Sequence, residues 1–270
     1  MRGENEKKCL DMVINRANRI RYYGLAREDV DLIESMLNTA APNPESSKFP
    51  DFLCANGIIE HFQITASERI VTSTSSKTID RGSEQHKELA KHRKKTDALI
   101  EGFKEKMSGS PSFDEVKSVH SSFNQPQHSH ANLIESFKTA WEKHIDSLHK
   151  YQGAKSPCVF LIEHSEYGLE MFEDVYGDLK ESLRFDDLRK QQRFDFYRLS
   201  RDKKLLEYMY GFTDDVDIVI FSYLYGCEVI KLKNIPEILK RLPWDFRIEA
   251  KPQMFNIESV YGISARCDDE

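Results

Sequence analysis

The chain has no run approaching the roughly 20 apolar residues that a membrane-crossing helix needs, and it lacks a paired CxxC, an HExxH, a GxSxG and a glycine-rich phosphate loop. Nucleotide kinases, zincins, serine hydrolases and zinc-ribbon proteins are thereby left without their first clue. Basic excess is missing too. The 39 Lys and Arg stand against 45 Asp and Glu, for a formal net charge of -6, so any nucleic-acid contact must use a local patch. Five cysteines (Cys9, Cys54, Cys158, Cys227 and Cys267) are odd in number and scattered. They support neither a disulfide framework nor a zinc ribbon, and they suit a reducing compartment. The opening MRGENEKK is polar where a signal peptide needs an apolar core. The expectation is a soluble, cytoplasmic protein.

What is present reads as helices alternating with strands. Leu10, Val13, Ile14, Ala17 and Ile20 predict a helix over 6–23, and Val30, Ile33 and Leu37 a second over 27–37 with Glu34 at the edge of its packed face. Residues 41–48 read as a loop. Helix 84–107 has a basic first half, with Lys87, Lys91, Arg93, Lys94 and Lys95, and after the Ser/Pro/Gln/His-rich stretch 108–130 a strong stripe from Leu133 to Leu148 predicts a helix over 132–151. CVFLIEHS after Pro157 reads as a buried strand ending in Glu163 and His164. Helices are predicted over 168–183 and 185–210, a second hairpin over 216–223 and 227–232, a short helix over 236–242, a last strand over 246–250, and a frayed tail from Arg266. The basic and aromatic residues of 184–203 can stack on single strands, although an amphipathic helical pair explains them as well. The class is mixed α/β, with a central sheet and flanking helices.

The stretch FPDFLCANGIIEHFQIT, residues 49–65, concentrates the chemistry. Asn56-Gly57 is a strong two-residue turn signal. A turn there sets Ala55 against Ile58, Leu53 against Glu60 and Asp51 against Phe62, which leaves Asp51 and Glu60 on one face as diagonal neighbours. Two carboxylates so arranged can converge on one divalent ion. His61, next to them, can serve as a base or ligand or as a hydrogen-bonded core residue.

Helix 27–37, the strand with Pro50-Asp51, the strand with Glu60, helix 84–107 and the strand at 157–164 together resemble the restriction-endonuclease-like, or PD-(D/E)xK, nuclease superfamily. That resemblance covers about half of the chain and implies a restriction-endonuclease-like core plus helical insertions. The implied division is N-terminal helices at 1–40, a nuclease-like core at 41–165 with a flexible insertion near 108–130, and a segment at 166–270 completing the same sheet. It also implies that Asp51 and Glu60 bind Mg²⁺ or Mn²⁺, that Glu34 is a supplementary acid, and that DNA is the substrate. A possible homodimer or accessory protein partner completes the expectation. The family's lysine belongs two residues past the acid, where this chain has Phe62. Gln63, brought inward by a bulge, or a lysine from elsewhere such as Lys77, Lys87 or Lys91, would then position the attacking water. Lys77, Lys87, Lys91, Lys94 and Lys95 are the candidate DNA-backbone contacts. The alternative is a catalytically inactive nuclease-like module that binds nucleic acid or protein, and a third reading is a helical interaction module over 130–210.

Overall fold

The computed structural model describes residues 4–15, 20–45, 48–67, 69–71, 78–107, 112–124, 128–164, 166, 168–174, 192–223, 226–242, 247–250 and 254–266. Lys77, Cys267 and the basic run at 184–190 lie outside them. The chain divides into two units: residues 1–66 with 129–250, and residues 67–128 with 251–270.

The first unit is a mixed α/β layer structure. In chain order its elements are α1 (Glu4–Asn15), β1 (Ile20–Tyr23), α2 (Arg27–Thr39), β2 (Ala41–Pro42), β3 (Phe52–Cys54) and β4 (Gly57–Gln63). After the excursion through the second unit come α4 (His130–Lys150), β8 (Cys158–His164), β9 (Leu169–Asp174), β10 (Gln192–Phe196), α5 (Lys203–Tyr210), β11 (Ile218–Tyr223), β12 (Gly226–Lys231), α6 (Ile235–Leu239) and β13 (Arg247–Ala250). The central sheet runs β1-β12-β11-β8-β4-β3-β2. Neighbours β4, β8 and β11 are parallel, while β2, β3 and β4 are antiparallel.

Alternation along the central strands builds a core on each face. Ile58 and Phe62 of β4 join Cys158, Phe160 and Ile162 of β8 and the stripe Leu133, Phe137, Trp141, Ile145 and Leu148 of α4. On the other face Ile59, Val159 and Leu161 pack with Cys9, Leu10 and Val13 of α1 and Ile33, Met36 and Leu37 of α2. Because β8 is covered on both faces it reads as one unbroken apolar run. Trp141 anchors the α4 side, with ring centroids 5.4 Å from Phe137 and 4.9 Å from Phe160.

Several segments differ from the sequence expectation. The first helix is described over Glu4–Asn15, and Ile20–Tyr23, expected to be its last turn, is a strand parallel to β12, as its β-branched and aromatic side chains suit. Residues 169–174 and 192–196 are paired strands and not helix, and β13 adds to the same small sheet. Of the helical module expected over 130–210, the described residues keep the helices α4 and α5, while 169–174 and 192–196 are strands.

The second unit holds β5 (Arg69–Val71), β6 (Thr78–Asp80), α3 (Arg81–Met107), β7 (Ser112–Asn124) and β14 (Met254–Arg266). β7 and β14 pair antiparallel along their whole length. The stretch expected to be a linker near 108–130 therefore contains a long strand, and residues 254–266, for which the sequence suggested no element, supply its partner; the tail beyond Arg266 lies outside the described residues.

The β3–β4 hairpin closes one step earlier than the turn signal suggests. Cys54 pairs with Gly57, so Ala55 and Asn56 form the loop, and Phe52 pairs with Ile59. Gly57 has φ +149, and a Cβ there would stand 2.3 Å from the Pro157 carbonyl oxygen. Its backbone conformation and the close approach of β8 both demand glycine. Gly57→Ala is expected to destabilise the protein by about 1–3 kcal/mol, read as a lower urea midpoint. A midpoint equal to that of the parent would refute the tight approach.

Candidate functional site

Extending the Phe52–Ile59 pairing by one residue sets Asp51 directly against Glu60. The shift from the expected register changes partners by two positions, which preserves face parity, so the acids still meet. They meet through specific bonds. The Asp51 backbone N–H donates to Glu60 Oε2 at 2.9 Å, and the His61 backbone N–H donates to Asp51 Oδ2 at 2.9 Å.

Electrostatics mark the pair as strained. Burial first, and then the Glu60 charge, raise the Asp51 carboxyl from its ordinary 3.8 to about 6. Two carboxylates out of water repel, and a cation between them offsets that repulsion. The donor set is all oxygen, which is what Mg²⁺ and Mn²⁺ take, so the residues present fit such an ion.

Phe62, standing where the resemblance asks for lysine, has a different role. Its ring stacks on His144 of α4, with centroids 4.7 Å apart and planes 17° apart. That stacking holds His144 Nδ1 2.6 Å from Glu60 Oε1. An imidazole from the covering helix thus reaches the acid where the resemblance asks for an amine. In the sequence His144 is one of three histidines on α4 and flanks the stripe residue Ile145, which gave no sign of this pairing.

Gln63 is not turned toward Glu60. The β4–β8 register runs without a bulge from Ile58–Cys158 to Gln63–Glu163. Gln63 therefore shares a face with His61, opposite Glu60 and Phe62. Its Nε2 donates to Glu163 Oε2 at 2.7 Å, and His61 Nε2 lies 3.2 Å from the same oxygen. His61 is 7 % exposed and Cys9 of α1 is 1 % exposed. The ligand atoms of Cys9, His61 and Glu163 lie within 4.8 Å of one another. The site has two sides: Glu60 and His144 toward α4, and His61, Gln63, Glu163 and Cys9 toward α1. Asp51 stands at the edge between them, bonded to both Glu60 and His61.

Glu34 joins neither side. It is exposed on α2, and its charge acts on Tyr22 of β1, a strand at the opposite edge of the sheet from β2 and β3. It lies beyond the edge of the packed face because Ile33, Met36 and Leu37 take the buried positions. Glu6 of α1 is the helix acid that Asp51 senses. The lysines belong elsewhere: Lys91, Lys94 and Lys95 are exposed on α3 in the second unit. Lys87 is on the same helix, its side chain outside the description, and Lys77 lies outside the described residues altogether.

Comparison of the chain with protein-family models, with curated proteins and with solved structures finds no match in any of the three. No described helix is long and apolar enough to cross a membrane.

Proposed function

We propose that this protein is a metal-dependent nuclease that hydrolyses phosphodiester bonds of DNA and works in the cytoplasm. The observation that carries the reading is the hydrogen-bonded meeting of Asp51 and Glu60 at the start of an antiparallel hairpin. Chain order supports it: α2, β2, β3, β4, a crossover containing α4, then β8 parallel to β4, the helix–hairpin–helix–strand arrangement of a restriction-endonuclease-like core.

Bound Mg²⁺ or Mn²⁺ would lower the pKa of a water and neutralise charge growing on the phosphodiester. Asp51 and Glu60 would supply its ligands. His144 orients the Glu60 carboxylate through Nδ1. Lys91, Lys94 and Lys95 offer exposed cations for the DNA backbone.

Purified protein should cleave DNA with Mg²⁺ or Mn²⁺, stop with EDTA, and lose cleavage in both Asp51→Ala and Glu60→Ala. If both variants cleave like the parent, the assignment is wrong.

One observation favours a second reading, a catalytically inactive nuclease-like module that binds nucleic acid or protein. Phe62 and Gln63 bring no amine to the acids, and Gln63 is bonded to Glu163 on the opposite face. DNA binding indifferent to millimolar Mn²⁺, with no cleavage, would select it.

A further inference from the structure

We infer that Cys9, His61 and Glu163 form a binding site for a divalent transition ion of the zinc type, separate in donor chemistry from the Asp51–Glu60 pair. The inference does not rest on the nuclease reading.

Three elements distant in sequence bring the donors together: α1 contributes a thiol, β4 an imidazole and β8 a carboxylate, all within 4.8 Å of one another. Tetrahedral zinc, with bonds of about 2.0–2.3 Å, sets its ligand atoms about 3.3–3.8 Å apart. His61 Nε2 and Glu163 Oε2, at 3.2 Å, already approach that separation. The remaining closure is within the reach of side-chain torsions.

Charge balance points the same way. Cys9 loses its Sγ–H proton to solvent as the sulfur–metal bond forms, and thiolate plus carboxylate then carry two negative charges against the ion's two positive ones. A neutral cluster is what a buried site accepts. Thiolate and imidazole select zinc-like ions, whereas Mg²⁺ takes oxygen. A nucleophilic role for the thiol is excluded by burial, since Cys9 is 1 % exposed against the packed face of α1 and no substrate reaches it. A single ion can enter. Glu163, with its side chain 12 % exposed, and exposed Gln63 form the open side. Gln63 holds the carboxylate from outside at 2.7 Å, as partners of metal ligands do. Three protein ligands also leave a fourth position for water. An ion there ties α1 to the two strands beside the acid pair.

The test is a titration of chelator-stripped, reduced full-length protein with Co²⁺, followed by Zn²⁺ competition. One equivalent of Co²⁺ should bring up a thiolate-to-cobalt absorption band, one equivalent of Zn²⁺ should erase it, and excess Mg²⁺ should leave it unchanged. Cys9→Ser should abolish the band, and Glu163→Gln should weaken binding at least about tenfold. Cys54→Ala and Asp51→Asn should keep it. A band that survives Cys9→Ser, or folded parent protein that takes up no Co²⁺ with sulfur absorption, overturns the site. Should the Cys9 variant fail to fold, the parent titration and Glu163→Gln decide alone. A persistent band in protein that never cleaves DNA would sink the nuclease reading and leave this site standing.

Discussion

Asp51→Asn is expected to reduce Mg²⁺-dependent cleavage by at least about a hundredfold, comparable to removing one preorganised charge-stabilising group, while making the folded protein more stable at neutral pH. Both effects come from one cause. The amide keeps an oxygen to accept the His61 N–H, so the local fold survives, but it carries no charge for an ion. The stability sign follows from the carboxyl's being raised from 3.8 to about 6, chiefly by burial and next by Glu60. A carboxyl raised on folding favours the native state while protonated. That advantage is whole below the unfolded pKa and is lost as pH rises through the folded one. Above about pH 6 the parent bears the full penalty of ionised Asp51 and the Asn variant bears none. The shift corresponds to about 3 kcal/mol before solvent screening, and to about 1–2 kcal/mol once the group's partial exposure is allowed for. Urea unfolding at several pH values beside a cleavage assay checks both halves. An inactive variant that is also less stable at neutral pH would mean that Asp51 supports the fold and not the chemistry.

How far the sequence disclosed this site depended on the range of each interaction. Parity along a hairpin is local, so Asp51 and Glu60 were legible even though the loop is Ala55-Asn56 and not Asn56-Gly57. The same parity put Gln63 on the far face from Glu60, which the unbroken β4–β8 register bears out. Glu163 was visible as a polar residue ending a buried strand. Cys9 and His144 were not, because helix–sheet packing brings them in from 52 positions before His61 and 84 positions after Glu60. Cys9 on the apolar stripe of α1 is indistinguishable by spacing from a small core residue. The fold behaves likewise. CVFLIEH and the α4 stripe carry long, uniform patterns, and both elements lie where the patterns predict them. Met171 and Phe172 fit a helical stripe as well as a strand, and pairing with distant β10 and β13 decides for the strand. β7 is mostly polar, and its partner lies more than a hundred residues away, as Val119 opposite Ser259 illustrates. No local rule anticipates that ladder.

Glu228→Gln is expected to stabilise the protein at and above neutral pH by about 2–3 kcal/mol more than it does near pH 5. Glu228 is fully buried in β12, between Phe221 of β11 and Arg21 of β1. Its oxygens accept from the Ser200 backbone N–H at 3.1 Å and the Ser200 hydroxyl at 2.7 Å. Those bonds, Arg21 and Tyr23 pull the carboxyl down, yet burial outweighs them and raises it from 4.5 to about 7. Desolvation wins because three neutral donors, two on Ser200 and the Tyr23 hydroxyl, together with Arg21 return less than bulk water gave the ion. The folded state therefore holds Glu228 protonated where the unfolded chain has already ionised it. Stability from this group is complete below the unfolded value of 4.5, falls as pH rises, and is gone above the folded value of about 7. Tyr23 shows the same field from the other side, its hydroxyl raised first by its own burial and then by the Glu228 charge. Glutamine keeps one oxygen, with two lone pairs, for the Ser200 N–H and the Tyr23 hydroxyl, and the Ser200 hydroxyl can rotate to accept from the new amide. Tyr23 and Ser200 also line a cavity of about 330 Å³. Urea midpoints for parent and variant at about pH 5 and about pH 8 measure the slope directly. A stability difference that does not change with pH would mean that Glu228 ionises as readily in the folded chain as in the unfolded one.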